Sequence, residues 1–214
     1  MKRIQHLLAL ALCMVIAASC GPSQKVTSSW VNPDHVVGAR KYHKIFVGAL
    51  VHNTSVRQHL EEDMAAAALA KGYEVVRSID VLGPTFTKEN APSKEAMLGK
   101  VRSMGCDLIY TVTLVNKQSE QRYVPGRNTY APYPYYGYRF PGYYNYWSPY
   151  MYDPGYYTTD KTYFMEGELF DADTESMIWS VQTEAYNPSS IDSFAKQLIE
   201  LMQARLEKDL GLKK

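Results

Sequence analysis

Long hydrophobic stretches are scarce in this chain of 214 residues. The longest, Leu7–Ala18, runs for twelve residues, well short of the roughly 20 that cross a bilayer as a helix. An excess of charge of one sign is also missing: 23 Lys and Arg stand against 22 Asp and Glu. A nucleic-acid binder needs a basic face to neutralise phosphates, so nucleic acid is not an expected partner. Cysteine is rare, with three in the whole chain. No phosphate-cradling glycine loop, nucleophile elbow or HExxH motif occurs in it. The common enzyme signatures are therefore absent, which lowers the expectation of catalysis without excluding it.

What is present begins at the N-terminus. Lys2 and Arg3 precede the apolar run, the layout of a secretory signal. The run ends in Ala17-Ala18-Ser19-Cys20, which resembles the lipobox of bacterial lipoproteins, with Ala17 where most carry Leu. In that family the chain is cut before the cysteine, and the new N-terminus carries lipid. The resemblance implies a signal peptide over 1–19 and a mature protein of 20–214 held to an envelope membrane by lipid on Cys20. Residues 21–25 then form a short tether of ~17 Å at full extension. Loss of Lys2 and Arg3 leaves 21 basic and 22 acidic side chains (23 less 2, against 22), which argues against an electrostatic anchor. Cys13 leaves with the signal. Cys106 follows Gly105 and precedes a β-branched run, as a buried structural thiol would. A nucleophilic role would need a paired histidine, and none lies close in sequence.

The rest reads as alternating strands and helices. Val26–Val31 alternates like an edge strand, and Pro33 ends it. Ile45–Val51 is an apolar run of strand length. Thr54 or Ser55 is expected to cap a helix with Val56, Leu60, Met64 and Ala67 at helical spacing, stopped by Gly72. Tyr73–Val76 reads as a second strand and Val81–Pro92 as a loop. Ser93 opens a second helix with Met97, Val101 and Met104 on one face. Leu108–Val115, Tyr163–Phe170 and Met177–Ala185 read as strands, the last two joined by a turn at 171–174. Ser189 and Asp192 suggest a capping box for a last helix with Ile191, Phe194, Leu198, Leu201 and Met202 inward.

This order predicts an α/β fold: one domain over 26–214 with a single mixed sheet of about five strands and three helices mainly on one face. The order resembles that of envelope lipoproteins such as the outer-membrane activator of a peptidoglycan synthase and the curli-secretion lipoprotein, and the shape of anticodon-binding domains. Ser29-Trp30-Val31-Asn32-Pro33, Tyr123-Val124-Pro125-Gly126, Pro154-Gly155-Tyr156-Tyr157 and Ile178-Trp179-Ser180 resemble small lipoproteins of the Bacteroidetes type, a family that brings no known activity. In such bacteria an acidic run after the lipidated cysteine usually accompanies surface export. Gly21-Pro22-Ser23-Gln24-Lys25 holds no acid, so the resemblance implies an outer-membrane anchor facing the periplasm. There is also no Asp after Cys20, the feature that holds enteric lipoproteins at the inner membrane.

Between the third and fourth strands lies a tyrosine-rich insertion, 123–160. Fourteen of the eighteen tyrosines fall within 123–163, interrupted by six prolines and four glycines. Its prolines forbid a central strand, and its length exceeds ordinary loops. Tyrosine offers a large apolar face with a polar tip and few bonds to freeze. Three readings stay open: a binding arm for an envelope protein or glycan, an ordered lid on its own domain, or a segment with no specific partner. As a binding arm, its expected contacts are Tyr133, Tyr135, Tyr136, Tyr143, Tyr144, Trp147 and Arg139.

Candidate chemistry elsewhere is sparse. His35, His43, His52 and His59 match no zinc-ligand spacing, and His59 and Asp63 are expected as solvated side chains; no metal or cofactor is expected. Arg57 and Glu61 read as an i,i+4 pair worth only tenths of a kcal/mol. Glu166 and Glu168 share one strand face, where a glycan hydrolase would place paired carboxylates. The expected function is a lipid-anchored, non-enzymatic binding module. Two alternatives remain: an activator of peptidoglycan synthesis whose arm, a hairpin of at most ~60 Å, extends the short tether, and a hydrolase using Glu166 and Glu168.

Overall fold

The structure is a computed structural model that describes residues 24–35, 38, 40–83, 93–124 and 156–212. In chain order its elements are β1 (Gln24–Val31), β2 (Lys44–Leu50), α1 (Thr54–Ala70), β3 (Glu74–Arg77), α2 (Ser78–Leu82), α3 (Lys94–Ser103), β4 (Leu108–Val124), β5 (Tyr156–Asp171), β6 (Met177–Tyr186) and α4 (Ile191–Asp209). The strands form one open mixed sheet in the order β1-β6-β5-β4-β2-β3. β2 pairs in parallel with β3 (Ile45 opposite Val75) and with β4 (Ile45 opposite Leu108), whereas β1 runs antiparallel to β6 (Gln24 opposite Ala185). The α/β class and mixed sheet are as the sequence implies, with six strands and four helices among the described residues.

β2 is an unbroken apolar run because it is covered on both faces. Ile45, Val47 and Ala49 join the main core with Leu60 and Met64 of α1 and Leu198 and Met202 of α4. Phe46 points the other way and meets Val101 of α3, Cys106 and Ala172. The two longest helices thus share one face, and α3 lies on the other. Cys106 is buried, and burial pushes its thiol pKa up.

Helix ends follow local chemistry, with two shifts from expectation. Asn53, not Thr54 or Ser55, caps α1: its side-chain oxygen accepts from Val56 N at 3.0 Å. Ser190, not Ser189, caps α4 by accepting from Ser193 N at 3.2 Å. Ser93 caps α3 as expected. Gly72 (φ 87°) and Gly105 (φ 73°) end their helices in the left-handed region that a side chain disfavours. Val81 and Leu82 belong to the one-turn helix α2 rather than to a loop. In α4, Phe194, Leu198 and Met202 are buried, but Ile191 is exposed and Leu201 only half-buried.

β1 begins at Gln24, so Gln24 and Lys25 belong to the sheet and not to the tether expected over 21–25. β4 and β5 run for 17 and 16 residues, well beyond the expected ends at Val115 and Tyr163. The chain divides into two compact units, residues 1–116 with 163–214 and residues 117–162. The outer halves of β4 and β5 belong to the second.

Candidate functional site

Cys20 and the expected contact residues Tyr133, Tyr135, Tyr136, Arg139, Tyr143, Tyr144 and Trp147 lie outside the described residues. The strands that carry the tyrosine-rich segment are described. In the second unit, Arg122 Nε donates to Asp160 Oδ2 at 2.9 Å, and the rings of Tyr123 and Tyr157 lie 5.3 Å apart. Rising numbers on β4 meet falling numbers on β5, as in an antiparallel pair. Tyr123, Tyr156 and Tyr157 are 49%, 63% and 72% exposed.

In the first unit an apolar cavity of about 450 Å³ is lined by residues including Phe46, Leu82, Met97, Val101, Ile109 and Phe170. Arg57 and Ser78 also line it. Glu61, fully buried, accepts from Arg57 Nε at 3.0 Å, Ala49 N at 3.1 Å, Ile79 N at 2.7 Å and the Ser78 hydroxyl. Arg57 donates further to Ser78 Oγ at 2.8 Å. Arg57 and Glu61 are thus a buried i,i+4 pair, whose loss costs more than the few tenths of a kcal/mol expected from their spacing. They join α1 to β2 and α2. The carboxylate is occupied by four donors, the Ser78 hydroxyl among them.

A second polar cluster gathers at the β5–β6 turn. Asp171 accepts from Arg40 Nη1 at 2.8 Å, from the Tyr42 hydroxyl at 2.9 Å and from the N–H groups of Asp173 and Thr174, both at 2.9 Å. Arg40 also pairs with Asp173. Burial pushes the Asp171 carboxyl up, but the Thr174 N–H, the Tyr42 hydroxyl, the Asp173 N–H and the Arg40 charge together hold it below the ordinary value. Burial, then the bond to Asp171, pushes Tyr42 up to about 12. Arg102 donates to Ala172 O at 2.8 Å and Asp173 O at 2.7 Å. These bonds spend the cluster on holding the turn, whose carbonyls and N–H groups need partners.

The other candidates separate. His59 Nε2 lies 3.2 Å from Asp192 Oδ1, joining α1 to α4. Burial raises the Asp63 pKa first, followed by the Glu62 charge. Glu166 and Glu168 lie on the sheet face opposite Met165 and Leu169, where Glu166 accepts from Gln182 Nε2 at 3.2 Å. Burial, then the Glu166 charge, raises the Glu168 pKa.

Fold and site together define an α/β domain on a mixed six-stranded sheet with a strand-borne appendage. No protein-family model matches the chain, and no curated protein does. Solved structures similar to it include the PelC dodecamer from Paraburkholderia phytofirmans, at 17% identity over 89% of this chain and 99% of that one, with a TM-score of 0.44. Lipoprotein GNA1162 from Neisseria meningitidis is similar at 12% identity over 78% and 99% of the two chains, with a TM-score of 0.42. A PDZ domain protein from Parabacteroides distasonis is similar at 14% identity over 91% and 38%, with a TM-score of 0.37.

Proposed function

We propose that the chain is a lipid-anchored envelope protein that works by binding, not catalysis, and presents its tyrosine-rich segment to an envelope protein or glycan. The supporting observation is the strand pair that carries the segment. β4 and β5 continue into the second unit, joined by Arg122–Asp160 and Tyr123–Tyr157, with exposed tyrosines on both strands. Holding aromatic groups on paired strands lowers the entropy lost when a partner binds. Lipid on Cys20 at the periplasmic face of the outer membrane would place the pair beside envelope partners. Deleting residues 127–155 should leave the first unit folded and abolish site-specific crosslinks from Tyr157 in cells. Crosslinks unchanged by the deletion would overturn the reading.

A second reading has one observation in its favour. Glu166 and Glu168 share a face, and the Glu168 carboxyl is held up by burial and then by its neighbour's charge, as a general acid requires. An altered muropeptide profile in cells carrying Glu166→Gln would support a hydrolase. An unaltered one would remove it.

A further inference from the structure

The apolar cavity of the first unit is hollow for a reason written in β2. Phe46, Gly48 and Leu50 alternate on the face of the strand that lines it, about 13 Å from first to last at ~3.3 Å per residue. Gly48 places no side chain between the other two. A Cβ there would sit 3.3 Å from Ser78 Cβ, so α2 packs close to the strand at that point. Met97 and Val101 of α3, Ile109 of β4 and Phe170 of β5 also line the space. Phe46 and Val101 are 5% and 1% exposed, whereas Leu50, at 55%, marks the open side.

The charged groups in the lining are already engaged. Arg57 donates to Glu61 and Ser78, Asp171 accepts from Arg40 and Tyr42, and Glu175 pairs with Arg102 at 3.3 Å. A sugar, nucleotide or amino acid is held by polar groups placed to meet it, and burying its polar atoms without such partners is costly. Water fares no better, because it too needs polar partners. Hydrocarbon is the chemistry that this lining accepts, and its removal from water drives entry. At ~30 Å³ for each water-sized group, the 450 Å³ space holds at most about 15 methylene groups. Met97 is an unbranched, adaptable wall for a flexible chain.

We propose that this cavity binds one acyl chain, with its head group left outside on the Leu50 side. The choice of an acyl chain among hydrocarbons rests on the reading of the protein as lipid-anchored in the envelope, where such chains are at hand. The site is separate from the tyrosine-rich segment and gives the first unit a ligand of its own. A free fatty acid and a lysophospholipid offer the same chain and differ only outside the cavity.

The full chain carrying Cys20→Ser, free of lipid of its own, is titrated with cis-parinaric acid, whose fluorescence rises in an apolar site. Saturable binding of one molecule per chain is expected, with displacement by palmitate and by palmitoyl-lysophosphatidylethanolamine. Displacement by palmitate alone assigns the free acid as the ligand, and displacement by the lysolipid alone assigns the phospholipid. Leu98→Trp enlarges a side chain of the lining and should weaken binding about tenfold. Leu69→Trp, at an exposed position of α1, should leave binding unchanged. Should Leu98→Trp not fold, Met97→Trp on the same helix takes its place. Binding that does not saturate, or that the lining and α1 variants affect alike, would overturn the proposal. So would binding seen only with Phe86→Ala, in the stretch 84–92 between α2 and α3, because the chain would then fill its own cavity. The assay uses a chain without lipid, so a negative result counts against the cavity site and not against the anchor at Cys20.

Discussion

Arg57 Nε donates to Glu61 Oε1 at 3.0 Å, and both side chains are buried, at 4% and 0% exposure. Glu61→Ala leaves a guanidinium buried without its carboxylate and also strips Ala49 N and Ile79 N of their acceptor. The expected cost is about 3–5 kcal/mol, read as a lower urea midpoint. Arg57→Ala combined with Glu61→Leu should cost much less than the sum of the single changes, because the pair is removed together. A cost below about 1 kcal/mol for Glu61→Ala, the range of an exposed pair, would contradict the buried network.

The Asp171 cluster contributes to both limbs of a pH profile. The folded Asp171 pKa lies below the ordinary 3.8, so its contribution is full above that value and is lost as pH falls through the folded one. Tyr42 is raised from 10.0 to about 12. Its contribution is full below 10.0 and is lost as pH rises toward 12. Thermal unfolding should show a shallower acid limb for Asp171→Asn and a shallower alkaline limb for Tyr42→Phe. Limbs matching wild type would contradict these assignments.

Gly167 is fixed by space. A Cβ there would sit 2.9 Å from Met202 Sδ and 3.2 Å from Val181 Cγ1. Gly167→Ala should cost about 1–3 kcal/mol, the usual range for overpacking. Because the nearer contact is flexible thioether, adding Met202→Leu should change that cost, whereas a distant core change such as Val101→Ala should leave it alone. Chemical denaturation of the single and double variants measures the coupling.

The cap at Asn53 is a smaller, local test. Asn53→Ala removes the acceptor for Val56 N and should cost about 1 kcal/mol. Ser55→Ala, at a position expected from sequence to cap, should cost less. Equal losses by thermal unfolding would contradict the observed cap.

Much of the fold was legible because its signals are periodic. The run Ile45–Val51 announces a doubly covered strand, and Leu60 with Met64 announces a helix face. What was missed broke those periods. Arg57, Leu60, Glu61, Met64 and Ala65 are the buried residues of α1; they follow the i, i+3, i+4, i+7, i+8 spacing of a buried stripe. Two are charged, so the stripe read as narrower than it is, and only the partners from β2 and α2 show why burial is tolerated. The outer halves of β4 and β5, such as Lys117–Val124, carry polar residues on both faces, and no core enforces an alternation that a sequence can display. α2, with five residues, is too short for any period. Of the candidate site, Glu166 and Glu168 were placed correctly on one face by alternation. The pairing of Tyr123 with Tyr157 depends on a register that tyrosine content does not encode.

Everything proposed for function depends on Cys20 carrying lipid. The direct measurement is the intact mass and N-terminal peptide of the protein extracted from the membrane fraction of its cells. The expected result is a chain that begins at Cys20 and bears acyl groups, and that moves to the soluble fraction as Cys20→Ser. A membrane-free chain beginning beyond Cys20, or one with an unmodified Cys20 thiol, would contradict the account.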